Sequence, residues 1–284
     1  MTTKPRRSVL YMPGANVRAL EKARTLAADA LILDLEDSVA PDAKAEARTR
    51  VTEAVAAGGY GRRELVIRIN GLDTPWGAKD MEAAVAAAPD AILVPKVSRA
   101  EDVHRALRLM TGAASRTALW AMMETPLAIL NANEIAGADR RLSCFVLGSN
   151  DLVKETRASA ASARFALLPM LTTCVLAARA FGLDVVDGVY NDFKDEAGFR
   201  AECEQGRLLG MDGKTLIHPG QIAAANEVFS PGADEIAWSR RIITAFAEAE
   251  NTAKGVITIE GKMVERLHLA MAERVVTIAE AVSA

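Results

Sequence analysis

Five apolar runs in this sequence each close on a charged or polar side chain: Leu31-Ile-Leu-Asp-Leu-Glu-Asp37, Leu65-Val-Ile-Arg-Ile-Asn70, Ala91-Ile-Leu-Val-Pro-Lys96, Leu119-Trp-Ala-Met-Met-Glu124 and Cys144-Phe-Val-Leu-Gly-Ser-Asn-Asp151. An ionised group at the end of a buried strand is costly unless it is paired or coordinates a ligand. Several such ends in one chain therefore point to a shared site built from carboxylates, an arginine and a lysine, with no histidine or cysteine pair. In Val66-Ile-Arg-Ile-Asn70 the strand period of two puts Arg68 on one face with Val66 and Asn70. Its planar guanidinium there offers a fork to a ligand carboxylate; an internal ion pair with Asp34 or Glu36 is the alternative.

Glu124 closes one strand and Asp151 lies just past the next. Two hard oxygen donors on adjacent strands, with no His or Cys nearby, suit magnesium or manganese better than zinc; purely structural carboxylates are the competing reading. Asp34 and Glu36 share a strand face, Asp37 turns away or enters the loop, and at least one of the three is expected near the metal, directly or through water. Lys96 is expected to pair with these carboxylates. His218, at the end of the last strand, could reach a ligand, whereas His104 reads as a surface residue and His268 as packing. No Ser-His-Asp arrangement emerges, and no Gly-x-Ser-x-Gly turn is present.

Positioning these groups requires parallel βα units. Strand-like runs at 8–12, 30–36, 65–70, 91–96, 118–124, 144–148, 184–189 and 214–218 alternate with Ala-rich helical stretches near 17–28, 42–57, 75–87, 100–110, 126–136, 164–181, 198–210 and 220–228. Eight units in about 220 residues predict a closed (β/α)8 TIM barrel, whose active site lies at the strand carboxyl ends. An open doubly wound sheet would want a Gly-x-Gly-x-x-Gly turn after a strand, and none occurs. The expected division is a barrel over residues 1–230 and a C-terminal helical extension over 231–284, a lid or an oligomer arm, with its final helix starting at Val264.

A chain of 284 residues, 50% hydrophobic and 25% charged, can bury one large core or two modest ones. Its 34 basic and 37 acidic residues leave a formal charge of -3, so no global field recruits nucleic acid or an anionic membrane, and neither is expected as a partner. Cys144, Cys174 and Cys203 are too scattered for a disulfide framework or a cysteine zinc site and read as buried apolar residues. The basic first seven residues lack a following leader because Pro13-Gly14 cuts the apolar run. No run approaches the roughly 18 apolar residues of a membrane span. The expected location is cytoplasmic.

Arg7-Ser-Val-Leu-Tyr-Met-Pro-Gly14, Leu33-Asp-Leu-Glu-Asp-Ser-Val39, Arg68-Ile-Asn-Gly71, Val94-Pro-Lys96, Met123-Glu-Thr125, Gly148-Ser-Asn-Asp-Leu152, Asp187-Gly-Val-Tyr190, Asp192-Phe193, Gly213-Lys214 and Ile217-His-Pro219 occur in order. As an ordered set they resemble the citrate lyase beta subunit-like, HpcH/HpaI aldolase family, which includes malyl-CoA and citramalyl-CoA lyases. The resemblance implies a (β/α)8 barrel that cleaves a β-hydroxyacyl-CoA thioester to acetyl-CoA and a small 2-oxo acid. It implies Mg2+ on Glu124 and Asp151, with Arg68 gripping the 2-oxo acid carboxylate. It also places Tyr11 and Arg18, and with them Thr215 and Leu216, at positions that contact the CoA portion, Lys22 adding a cation for its phosphates.

One position departs from the family pattern. Relatives carry Gly-Lys-Met-(Val or Ile)-Asp near the end, an acid/base aspartate supplied by a neighbouring subunit, whereas this chain has Gly261-Lys-Met-Val-Glu265. The resemblance thus implies a homo-oligomer, a trimer or a multiple of one, with Glu265 in the catalytic place. A glutamate keeps the carboxyl chemistry but moves it by a methylene, and about an ångström of misplacement matters greatly in catalysis. The leading expectation is a magnesium-dependent carbon–carbon lyase of malyl-CoA or citramalyl-CoA type. A malyl-CoA thioester hydrolase and a citrate lyase beta-type subunit acting on a carrier-protein thioester are the alternatives.

Overall fold

The chain is described here from a computed structural model that covers residues 4–114, 116–159 and 163–283. Eight short strands rich in Val, Ile, Leu and Ala pair in parallel and close into a barrel: β1 (Ser8–Pro13), β2 (Ala30–Asp34), β3 (Glu64–Arg68), β4 (Ala91–Val94), β5 (Ala118–Met123), β6 (Leu142–Leu147), β7 (Asp184–Asp187) and β8 (Gly213–Leu216). The expected TIM barrel is therefore present. Its seam is closed by β1, which registers Val9 against Ala30 of β2 on one side and against Thr215 of β8 on the other. Alternation along each strand sends Val9, Ile32, Val66, Leu93, Trp120, Met122, Val146 and Val186 into one buried interior core. The amino end of the barrel is sealed by Arg6, which stacks over Trp120 at 4.7 Å and pairs with Glu64 at 2.8 Å.

The helices follow the apolar periodicity, with three local differences. The stretch expected as one helix over 126–136 is two, α5 (Pro126–Leu130) and α6 (Ala132–Ala136), separated at Asn131, whose side-chain amide donates to Ser98 O at 2.9 Å. The first helix, α1 (Val17–Ala23), stops well before residue 28. A further helix, α7 (Ser149–Thr156), follows β6 directly and was not anticipated, because its eight residues are too few to show a period. The remaining barrel helices are α2 (Lys44–Ala57), α3 (Gly77–Ala87), α4 (Ala100–Leu109), α8 (Ala163–Phe181), α9 (Glu196–Leu208) and α10 (Ile222–Val228).

Against the sequence expectation, one helix among the described residues, Arg164–Phe181 within α8, is long and apolar enough to cross a bilayer by length and composition. It buries Leu167, Leu171, Cys174 and Ala178, a stripe at helical spacing that packs toward β6 and β7. All three cysteines are buried and free.

The chain divides into two compact units, Arg6–Asn226 and a second beginning at Glu227. The second unit contains α11 (Ala233–Ala247), the antiparallel pair β9 (Val256–Ile259) and β10 (Lys262–Glu265), and α12 (Arg266–Ser283). Its own small core is Ile242, Phe246, Ile257, Val264 and Ala272. The tight turn needs two left-handed residues, supplied by Glu260 (φ 51°) and Gly261 (φ 77°). Glu265 is consequently the last residue of a strand, and the final helix starts at Arg266 rather than Val264.

Candidate active site

At the carboxyl ends of β2 and β3, register partners Asp34 and Arg68 meet across the strand pair. Arg68 donates from Nε to Asp34 Oδ1 at 2.6 Å and from Nη2 to Oδ2 at 2.7 Å. Backbone N–H groups of Glu36 and Ser38 donate to the same carboxylate at 2.9 and 3.1 Å. The third guanidinium nitrogen, Nη1, stands 2.9 Å from Glu36 Oε2 and 3.2 Å from Asp37 Oδ2. The internal ion pair thus forms, and Arg68 still lines a cavity of about 300 Å³ together with Tyr11, Asp37, Met122, Gly148 and Asp151. The Tyr11 ring faces the guanidinium at 4.8 Å.

The two buried carboxyls beside the guanidinium shift in opposite directions. Burial pushes Asp34 up, but the charge and hydrogen bonds of Arg68 outweigh it and hold this carboxyl below the usual range. For Glu36 burial wins over Arg68 and, with repulsion from Asp37, Glu124 and Asp34, pushes it up to about 8. Of the two buried carboxyls, Glu36 is the one whose protonated form is favoured toward neutral pH.

The loop carrying Glu36 and Asp37 is braced by residues that the sequence reading did not assign to the site. Lys44 Nζ donates to the carbonyls of Leu35 and Glu36 at 2.9 and 2.7 Å. Asn70 Nδ2 donates to Leu35 O at 2.8 Å and to Asp80 Oδ2 at 2.6 Å. A lysine in the first turn of a helix opposes the helix dipole, and that mismatch is the signal that would have found Lys44.

Glu124, only 1% exposed, follows β5 beneath the Gly148 backbone. A Cβ at Gly148 would lie 2.4 Å from Glu124 Cβ and 2.7 Å from Oε2, so only glycine permits this approach. The Lys96 N–H donates to Glu124 Oε1 at 2.7 Å, while Lys96 Nζ stands 3.0 Å from Asp151 Oδ1 and 3.6 Å from Glu124 Oε1. Asp151 sits in the first turn of α7. Burial pushes Glu124 up, Lys96 opposes this, and Asp151 adds to it. The structure therefore brings Arg68, Glu124, Asp151, Tyr11 and the expected partner Lys96 to one barrel mouth.

Other sequence-assigned residues lie differently. Leu216 is fully buried, and the Thr215 hydroxyl is committed to Asp187 O at 2.8 Å, so neither offers side-chain surface to a ligand. Arg18 is exposed on the first turn of α1. His218 caps the short turn after β8, accepting from Gly220 N–H, and stacks on Phe193 at 4.9 Å. His104 is half-exposed, and His268 Nδ1 accepts from the Glu265 N–H at 3.0 Å. Glu265 belongs to the second unit. A buried ion cluster absent from the sequence reading lies outside the barrel wall: Lys214 Nζ reaches Asp187 (3.0 Å) and Glu202 (2.6 Å), and Arg164 holds both Asp187 oxygens.

Fold and site together define a (β/α)8-barrel enzyme with a buried arginine, a lysine and several carboxylates gathered at the strand carboxyl ends. The chain belongs to the HpcH/HpaI aldolase/citrate lyase family, which matches residues 7–219, and is an enzyme of this CoA-ester lyase family. Over 280 residues it is 53% identical to a (3S)-malyl-CoA thioesterase of Cereibacter sphaeroides (strain ATCC 17023), covering 99% of this chain and 96% of the relative. It is 37% identical over 270 residues to citrate lyase subunit beta of Escherichia coli (strain K12), covering 93% and 89%. Among solved structures, CitE of Mycobacterium tuberculosis in complex with magnesium, acetoacetate and coenzyme A is similar with a TM-score of 0.75 and 30% identity, over 97% of this chain and 98% of that one.

Proposed function

We propose that the protein is a magnesium-dependent enzyme of malyl-type CoA thioesters whose net reaction is hydrolysis to malate and CoA. The observation that carries the substrate class is Arg68 and Asp151 lining one cavity, with Glu124 tied to Asp151 through the Lys96 ammonium that stands 3.6 Å from the one and 3.0 Å from the other. An α-hydroxy carboxylate offers a carboxylate to a guanidinium and a chelating oxygen pair to a hard cation. The choice of hydrolysis rests on the 53% identity to a malyl-CoA thioesterase across nearly the whole chain, together with Glu265 where the resemblance implies aspartate.

Glu124 and Asp151 would hold the ion. No His or Cys lines the cavity, and Gly148 leaves the space into which a side chain would otherwise intrude. Among the described residues no group of three or more His, Cys, Asp or Glu side chains is placed to hold a metal, so an ion on Glu124 and Asp151 would take its remaining positions from water and substrate. When bound, magnesium supplies Lewis-acid charge to the substrate oxygens. Arg68 neutralises and orients the substrate carboxylate, and Asp34 fixes the plane of the fork. Tyr11 covers the guanidinium face and keeps water from it. Glu265 takes the proton of the attacking water and returns it to the departing CoA sulfur, so that malyl-CoA and water give malate and CoA. In this reading Tyr11, Arg18 and the backbone at Thr215 and Leu216 meet the CoA portion. The extension from residue 231 is the arm that brings Glu265 to a neighbouring subunit, which makes the active form a homo-oligomer, a trimer or a multiple of one, acting in the cytoplasm.

Cleavage to acetyl-CoA and glyoxylate is the second reading, favoured by the same arginine and carboxylate pair, which serve a 2-oxo acid equally well. Incubation of malyl-CoA with the protein and magnesium, followed by mass spectrometry of every CoA species, separates them. Free CoA and malate without glyoxylate support hydrolysis; acetyl-CoA with glyoxylate supports cleavage. No change in malyl-CoA, with or without chelator, would refute both.

A further inference from the structure

We propose that the Lys96 ammonium is a displaceable internal cation: it occupies the Glu124–Asp151 pair until a divalent ion takes its place, while the Lys96 backbone keeps Glu124 aligned throughout. The inference rests on the metal assignment given to that pair.

Lys96 makes two contacts of different character with one carboxylate. Its N–H donates to Glu124 Oε1 at 2.7 Å, and its Nζ lies 3.6 Å from the same atom while bonding Asp151 at 3.0 Å. Lys96 presents both groups to one carboxylate from a left-handed backbone, φ 54°, a conformation unusual for a side chain of this size. The backbone is pinned from the other side, where Ser98 Oγ donates to Lys96 O at 3.2 Å and meets Thr125 Oγ1 at 2.7 Å. The side chain is free to leave: it is 47% exposed, against 1% for Glu124. A fixed hydrogen bond and a detachable charge thus reach the pair from one residue.

The arrangement answers an electrostatic need. Glu124 is buried, and Asp151 stands within reach of the same ammonium. A cation between two carboxylates offsets their mutual repulsion and holds them together, so the site stands preformed before any metal arrives. A compact, flexible, strongly hydrated lysine leaves such a position more readily than an arginine fork would.

The test is calorimetric titration of magnesium into the chelator-treated full-length chain, as wild type, Lys96→Gln and Lys96→Arg. Lys96→Gln should bind magnesium at least about fivefold more tightly than wild type, because the ion no longer displaces a cation, and Lys96→Arg should bind no more tightly. A measurement on wild type alone does not depend on either variant folding: brief lysine acetylation read by peptide mass spectrometry, in which magnesium should increase labelling at Lys96 and leave exposed Lys22 unchanged. Equal or weaker magnesium binding by Lys96→Gln, or Lys96 labelling that magnesium leaves alone or suppresses, overturns the proposal. Magnesium binding by wild type that Glu124→Gln abolishes keeps the metal assignment whichever way Lys96 falls; no binding by wild type overturns both.

Discussion

Replacing Glu36 with glutamine should stabilise the protein at alkaline pH and leave it nearly unchanged at pH 5. Glu36 is 9% exposed, shares Arg68 with Asp34 and Asp37, and is pushed from an ordinary 4.5 up to about 8. A carboxyl raised in the folded state contributes stability that is full below its unfolded pKa and lost as pH rises through the folded one. Between these limits the unfolded chain releases a proton that the folded chain retains. At about 1.4 kcal/mol per pH unit the loss has a ceiling of about 5 kcal/mol, and relaxation around a side chain at the cavity edge reduces it to about 2–3 kcal/mol. Glutamine is nearly isosteric with the protonated acid and does not titrate. Urea denaturation of both proteins in chelator at half-unit steps from pH 5 to 9 gives the difference directly. The variant should match wild type at pH 5 and exceed it by about 2–3 kcal/mol at pH 9. If Glu36 were instead ionised and bound to Arg68 throughout, the variant would be less stable by a constant amount across the range, and that result refutes the assignment of the proton.

Arg68→Ala should lower kcat/KM for malyl-CoA at least about a hundredfold and destabilise the fold by about 3–5 kcal/mol, because Asp34, at 1% exposure, is left charged without its partner; steady-state kinetics and urea melts measure the two effects. Gly148→Ala pushes a Cβ to 2.4 Å from Glu124 Cβ, so Glu124 must shift, and kcat should fall about a hundredfold while the melting temperature changes little; an active variant would remove Glu124 from the metal set. Asp187→Asn leaves Lys214 fully buried with Glu202 alone, and should cost about 2–4 kcal/mol in denaturant with unchanged KM for malyl-CoA, since this cluster lies outside the barrel wall.

The barrel was legible because its strands are buried on both faces over most of their length and most read as short, largely apolar runs. Each of the eight strands falls within two residues of its expected start. The helices blurred where length was short: α7 spans only two turns, and its Ser149-Asn-Asp beginning reads equally as a loop. Arg68, Glu124 and Asp151 were legible because charge at a strand's carboxyl end has no cheap structural excuse. Asp80 was not, since an aspartate in a helix is ordinary until the fold turns it inward, and Lys44 showed itself only by its unfavourable place in a helix first turn. Thr215 and Leu216 show what a motif leaves open, namely whether side chain or backbone would face a ligand. Their motif carried a role by resemblance, but alternation on β8 and closure of the seam against β1 bury both side chains.

What the fold adds to the sequence is the division of charge at the barrel mouth. Arg68 could have bound Asp34 so completely that nothing was left for a ligand. Instead the register of β2 against β3 commits only Nε and Nη2 to Asp34, and Nη1 faces Asp37, whose side chain is 69% exposed, and Glu36, whose protonated form is favoured toward neutral pH. Nη1 therefore meets one acid that favours its neutral form and one solvent-exposed carboxylate that water can screen. Under the proposed function, a substrate carboxylate arriving at that edge would exchange with the weakest of the three partners and leave the bidentate pair intact. The guanidinium is held by what it does not release, which is the condition for a buried cation to bind and discharge an anion in every turnover.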